Sequence, residues 1–263
     1  MLHRPDATIF PVHAGGIKEK PLAPDREATV HANHLVARLA GPDRARLLAS
    51  CERVELEVGQ VLMDPAMRTA HAWFPIAAVV SLGVPATGRP HCFEVSLVGH
   101  EGMVGMPLLM GATASSLRAT VVRPGAALRI AAAPLRLHLE ASEGFRQRLN
   151  QYVMVSLAQL AQAAVCTRYH RVEERLARRL LMTQDRAPVG PVQATHEFLA
   201  AALGVRRAGI TRAAATLQRR KLIAYHRGVL TVLDRPGLQA AACGCYATDC
   251  ASYASGMRRN SMP

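Results

Sequence analysis

At 263 residues the chain exceeds an ordinary domain of about 100 to 200 residues, and with half its residues hydrophobic it can fill two cores, which excludes a disordered chain. Its 32 Lys and Arg against 19 Asp and Glu leave a net charge of +13, favouring a polyanionic partner such as nucleic acid or an anionic membrane. The six cysteines are too sparse for a disulfide scaffold, and a cytoplasmic chain would keep them reduced.

Residues 1–28 mix Pro5, Pro11, Pro21 and Pro24 with Gly15 and Gly16 without an apolar period, and read as a flexible arm. The start breaks into proline at Pro5 without the apolar core of a secretory signal, so a cytoplasmic location is expected. A short helix follows with Leu35, Leu39, Leu47 and Leu48 on its apolar side and Gly41-Pro42 as punctuation. From Glu52 the period drops to two, with Val54, Leu56 and Val58 alternating with Glu55 and Glu57. Further short apolar runs at Trp73-Phe74, Val79–Leu82, Phe93–Leu97, Thr120–Val122 and Ala127–Ile130 are separated by Gly and Pro. Many short strands so spaced predict a small β-barrel or roll. The uncharged stretch between Arg68 and Arg89 is broken by Pro75, Gly83 and Pro85, so it reads as strands and not as a membrane helix.

After Pro134 helix formers dominate, and Leu149, Val153, Leu157, Leu160 and Ala164 recur at three- and four-residue spacing on one long helix. Such a stripe either seals a two-stranded parallel pair or packs on the chain's own barrel, and the sequence leaves both open. An amphipathic helix from Val172 to Met182 comes next, ending near 187–190. Thr195 then opens a short helix that stops at Gly204, a residue able to take the left-handed conformation of a tight turn. A second helix runs from about Arg206 to Lys221. At about 100° per residue, Ile210, Ala213, Ala214 and Leu217 share one side, opposite Ala208, Thr211, Arg212, Ala215 and Arg219. The segment Leu222–Leu233 reads as a hairpin turning at Arg227-Gly228.

Charge sharpens this reading: residues 171–236 hold 13 basic and 5 acidic side chains, so +8 of the net +13 sits there. A charge run on a helix is usually a solvated face. Here, however, a helix, a Gly turn, a basic helix with an apolar inner side and a Gly-tipped hairpin follow in the order of a winged helix-turn-helix.

At this point the chain resembles the Crp/Fnr family of bacterial transcription regulators, over about residues 30–245. The residues that carry the resemblance are Val98–Gly111 in the roll and Leu203–Ile223 in the head. It implies an α+β fold: a β-roll of the cyclic-nucleotide-binding, double-stranded β-helix type over 29–140, a dimerisation helix over 141–169, a winged helix-turn-helix over 170–240 and a tail over 241–263. It also implies double-stranded DNA, a second copy of the chain and RNA polymerase as partners, with no membrane and no enzymatic activity. No catalytic motif is present to oppose that. An effector pocket would fall around Glu101, Gly102, Gly105, Arg118 and Arg123.

Members that bind cyclic AMP carry Gly-Glu-Leu and, about eleven residues later, Arg-Ser. This chain reads Gly105-Met106-Pro107 and Leu117-Arg118, so the ribose carboxylate is missing and the arginine is shifted by one, which on a strand turns it to the other face. Cyclic-nucleotide binding is therefore not expected, and no cofactor or effector is assigned. The iron-sulfur branch uses N-terminal cysteines, and none precedes Cys51. His71, His91 and His100 read as ordinary histidines, and not as haem ligands.

In the head, the family's Arg-Glu-x-x-x-Arg reader becomes Arg207-Ala208-Gly209-Ile210-Thr211-Arg212. Both arginines remain and the acceptor for cytosine is lost. Arg207, Thr211 and Arg212 are the candidate base readers, with Thr195, Arg206, Arg219 and Arg227 on the phosphates. Cys243, Cys245 and Cys250 crowd eight residues, but no nearby histidine supplies a fourth ligand, so no metal is assigned and a loose tail is the plainer reading; Cys92 and Cys166 read as small buried hydrophobes. The rival from another class is a ligand-binding signalling module whose basic C-terminal domain contacts protein, RNA or an anionic membrane without sequence specificity.

Overall fold

A computed structural model describes residues 33–85, 92–186 and 191–258; the arm at 1–28, His91 and the helix end at 187–190 lie outside them. Two short helices, α1 (His34–Ala37) and α2 (Gly41–Ala49), replace the single early helix of the sequence reading, because Pro42 starts a new helix instead of continuing one. Leu35, Val36, Leu39 and Leu47 are buried on their inner side.

The strands then come in the expected order: β1 (Glu52–Leu56), β2 (Val61–Met63), β3 (His71–Pro75), β4 (Val79–Pro85), β5 (Cys92–Val98), β6 (Arg118–Arg123) and β7 (Gly125–Ala131). They form two antiparallel sheets, β1-β7-β3 and β2-β6-β4-β5. Between the sheets lie Val54, Leu56, Trp73, Val80, Leu82, Val98, Val104 and Val121. The period-two pattern of β1 is kept, with Val54 and Leu56 buried and Glu55 exposed.

Two helices leave the roll, α3 (Ala132–Ala141) and the 27-residue α4 (Glu143–Tyr169), whose start is capped by the Ser142 side chain accepting from the Phe145 amide. The apolar stripe divides along α4. Leu149 is fully buried in the chain's own core beside Phe145, Tyr152 and Val155, so it is not available to a partner. Val153 and Leu160 are half-buried, whereas Leu157 and Ala164 are exposed. The large uncovered side chains of this helix are Met154 (65 % exposed), Leu157 (52 %), Val165 (45 %) and, at its last residue, Tyr169 (74 %).

After the bend at His170, α5 (Val172–Asp185) leads into the head: β8 (Val192–Gln193), α6 (His196–Leu203), α7 (Arg207–Arg219), β9 (Ile223–His226) and β10 (Val229–Val232). Val79, Leu97 and Val122 of the roll belong to the same buried cluster as Leu176, Leu180, Leu199 and Leu217 of the head, so the head is docked on the roll. Gly99 sits at that junction. An added Cβ there would lie 2.1 Å from the Arg186 carbonyl oxygen, whereas at Gly41 it would meet nothing within 4 Å. Gly99→Ala is expected to lower stability by about 1–3 kcal/mol and Gly41→Ala to leave it nearly unchanged, read from urea unfolding. Equal midpoints for both variants would mean that the junction is loose.

The C-terminal residues do not form a loose tail. The head closes with α8 (Arg235–Ala241), and the residues after it make α9 (Cys245–Gly256), which lies along α4 with its Gly256 against Val155. Cys245, Asp249, Tyr253 and Met257 recur every four residues and are the face turned inward, where Tyr253 donates to the Glu101 carbonyl at 2.8 Å. Polar and small residues on that face hide its helical period from a search for aliphatic stripes. Among the described residues no helix is long and apolar enough to cross a membrane.

Candidate nucleic-acid interface

The head is assembled from local signals. Thr195 caps α6, its hydroxyl oxygen accepting from the Phe198 amide at 3.1 Å. Gly204 ends α6 at φ 64°, and a Cβ there would come within 2.8 Å of the Phe93 ring, so both the backbone conformation and the space demand glycine.

The next helix, α7, buries Ile210 (0 %), Ala213, Ala214 and Leu217 (0 %) against the head core, the four residues expected on its inner side. Arg207, Ala208, Thr211, Arg212 and Arg219 are exposed, with Arg206 at the N-cap also exposed, while Ala215 is half-buried. Arg219 donates to the Thr216 hydroxyl at 3.0 Å, and Arg220 is held by Glu173 at 3.2 Å.

The hairpin β9–β10 turns through Arg227 (φ 48°) and Gly228 (φ 80°), two left-handed residues in succession as a tight two-residue turn of the primed class requires. The short strand β8 pairs with β10 and completes a three-stranded wing, tied at its tip by the Ala194 amide donating to the Gly228 carbonyl at 2.8 Å. Thr195 and Arg227 both line a crevice shared with Val58, Gly59 and Val121 of the roll.

His196 was missed by sequence reasoning. Its ring stacks on Tyr225 of the wing, 4.5 Å between centroids at 15°, and its Nδ1 lies 3.1 Å from the Thr211 hydroxyl of α7. Burial, and then the Arg207 guanidinium, push its pKa below the ordinary histidine value, which favours the neutral ring. Its position directly after a capping threonine was the one available signal. The Thr211 hydroxyl also donates to the Arg207 carbonyl at 3.2 Å, so it is satisfied inside the protein.

The five residues expected around an effector do not converge. Glu101 accepts from the Gly99 amide at 3.1 Å and pairs with Arg186 at 3.0 Å, and is thus spent on holding the roll to the end of α5. It lines a cavity of about 230 Å³ with His34, His100, Arg186, Asp249 and Tyr253, which the other four residues do not line. At Gly102 an added Cβ would lie 2.0 Å from the buried Tyr152 hydroxyl, so that turn is already filled. Gly105 (φ 101°) packs on His71 and Ala72. Arg118 donates to Asp64 at 2.6 Å; burial opposes the charge on Asp64, but the Ala66 amide and Arg118 bring its carboxyl below the usual range. Arg123 ends β6 opposite Val79. Of the three C-terminal cysteines, Cys243 and Cys245 are buried together with Cys166, whereas Cys250 is exposed.

Residues 174–241 match the Crp-like helix-turn-helix domain. No curated protein sequence matches the chain. Among solved structures, a transcriptional regulator of the Crp/Fnr family from Eubacterium rectale covers 80 % of this chain and 98 % of its own at 15 % identity and a TM-score of 0.63. A regulator of the CRP family from Thermus thermophilus covers 72 % and 95 % at 15 % identity and 0.60. A global regulator from Xanthomonas campestris, described as responsive to c-di-GMP, covers 73 % and 99 % at 15 % identity and 0.58. The described architecture, a roll, a long helix and a Crp-like head, is the fold of these regulators.

Proposed function

From a Crp-like helix-turn-helix domain carried on the fold of Crp/Fnr regulators, we propose that this protein is a sequence-specific DNA-binding transcription regulator that acts as a homodimer on a near-palindromic site. Its work is binding, not catalysis. The observation that carries the reading is α7: an apolar inner side seated on the head, and an outer side of arginines and small residues open to a groove.

Arg207 and Arg212 grip guanine edges. The Thr211 hydroxyl is already committed to His196 and the Arg207 carbonyl, so the side chain offers its methyl to a thymine methyl. Thr195, Arg206, Arg219 and Arg227 steady the phosphates. Two-fold symmetry would set the half-sites about one helical turn apart. The filled turn at Gly102 and the engaged Arg118 support a roll without a cyclic-nucleotide grip, and RNA polymerase is the partner the fold suggests.

Selection of genomic fragments by the purified protein at near-physiological salt is expected to enrich one palindrome. No enrichment, with binding to any polyanion, would favour a signalling module with a non-specific basic domain. Arg212→Ala is expected to cost about 1–3 kcal/mol at a single base pair of the selected site, whereas Arg227→Ala weakens all sequences alike and lowers the salt slope by about one. Fluorescence anisotropy on matched and scrambled duplexes separates the two, and equal losses on both duplexes for Arg212→Ala would remove it from base reading.

A further inference from the structure

The last turn of α4, the bend after it, and the start of α9 with the link before it bring Cys166, His170, Cys243 and Cys245 together, with one donor atom from each lying within 4.8 Å of all the others. We propose that these four side chains form a closed tetrahedral site for a divalent metal ion of the zinc class.

The distances fit a single ion. A tetrahedron with metal–sulfur bonds of about 2.3 Å has sulfur–sulfur edges of about 3.8 Å, and slightly shorter sulfur–nitrogen edges. Cys166 Sγ and Cys243 Sγ are 3.6 Å apart, and Cys245 Sγ is 3.4 Å from His170 Nδ1. Thiolates that carry a polynuclear iron–sulfur cluster stand farther apart than this, so one ion and not a cluster is the fit. Three sulfurs and one imidazole are the donor set that a borderline-soft ion selects over calcium or magnesium.

The surroundings suit the charge. Three thiolates and a neutral imidazole around a divalent ion leave one net negative charge, and Arg175 and Arg178 share with Cys166 the lining of one crevice. The Gln162 side-chain amide donates to Cys245 Sγ at 2.9 Å, a hydrogen bond that would hold the thiolate in its direction toward the ion. The three sulfurs are buried, so water does not compete for them. With four protein ligands no position is left open for substrate, which makes the site structural or signal-sensing, and not catalytic. It clamps the C-terminal helices to the bend at His170, where the long helix passes into the head.

The test is metal uptake by the full-length chain. Reduced, metal-stripped protein titrated with Co(II) is expected to take one equivalent, with the visible d–d bands and near-ultraviolet sulfur-to-cobalt charge transfer of a tetrahedral thiolate site. Zn(II) then displaces the cobalt, bleaches both, and raises Tm. Cys166→Ser and Cys243→Ser each lose the spectrum or shift it to shorter wavelength with weaker charge transfer, His170→Ala loses or shifts it, and Cys250→Ser keeps it. Circular dichroism of each variant shows whether it is folded, and the spectrum of the unsubstituted protein decides the matter even if a variant is not. No uptake by the reduced protein overturns the proposal. So does a spectrum unchanged in Cys166→Ser or His170→Ala, or a Cys166–Cys243 disulfide that reforms in air with excess metal present.

Discussion

Glu94→Ala is expected to destabilise the protein by about 3–5 kcal/mol, the cost of breaking a buried ion pair from one side. Glu94 on β5 accepts from both Nε and a terminal nitrogen of Arg179 on α5, each at 2.8 Å, and also from the Ser81 hydroxyl at 2.7 Å. The side chains are 9 % and 4 % exposed, and the Arg179 guanidinium lies 5.2 Å from the Phe198 ring centroid, so alanine at 94 strands a buried cation. The pair joins the roll to the first helix of the head. It therefore differs from Arg118–Asp64, where the arginine is 38 % exposed and solvent screens the charge. The cost belongs to breaking the pair, not to lacking one: Glu94→Leu combined with Arg179→Met is expected to recover most of it. Urea unfolding at constant m decides, and a loss below about 1 kcal/mol for Glu94→Ala would mean that water reaches Arg179.

Met154→Asp combined with Leu157→Asp is expected to leave the fold intact and convert a dimer to a monomer. Both side chains are more than half exposed and stand on the uncovered side of α4, one turn apart. A carboxylate there meets water in a single chain but would face its own copy across a two-fold axis. Losing the second head also removes the advantage of bivalent attachment, so affinity for a palindrome should fall by about 10²- to 10⁴-fold while that for a half-site changes little. Sedimentation equilibrium reads the first outcome and anisotropy the second. A doubly substituted chain that still dimerises would move the interface off this helix.

The head was the most legible part of the chain, because each of its signals is local. The 100° wheel separates Ile210, Ala213, Ala214 and Leu217 from the arginines, and the Arg227-Gly228 turn needs only its own backbone preferences. The long helix was half legible. Periodicity marks Leu149 and Leu157 alike as apolar, but which of them the roll covers depends on how α3 and α4 leave it, and Leu149 is the one covered. The last helix, α9, was misread as a loose tail, since its inward face is Cys245, Tyr246, Asp249 and Tyr253 instead of an aliphatic stripe.

What the sequence determined by itself is therefore what short-range periodicity, caps and charge density can encode: strands that alternate, a capped helix pair with a Gly turn, a basic face on α7 and a hairpin. What tertiary structure alone decided is the set of partners between side chains far apart in the chain. Glu101 stands where a family pocket would be expected, yet Arg186 claims it across 85 residues of chain because α5 ends against the roll. Cys166 and Cys243 are 77 residues apart, and only the packing of α9 along α4 sets their sulfurs 3.6 Å from one another. Spacing within one element follows from backbone geometry. Proximity between elements is the product of the whole packed core, which no local pattern records.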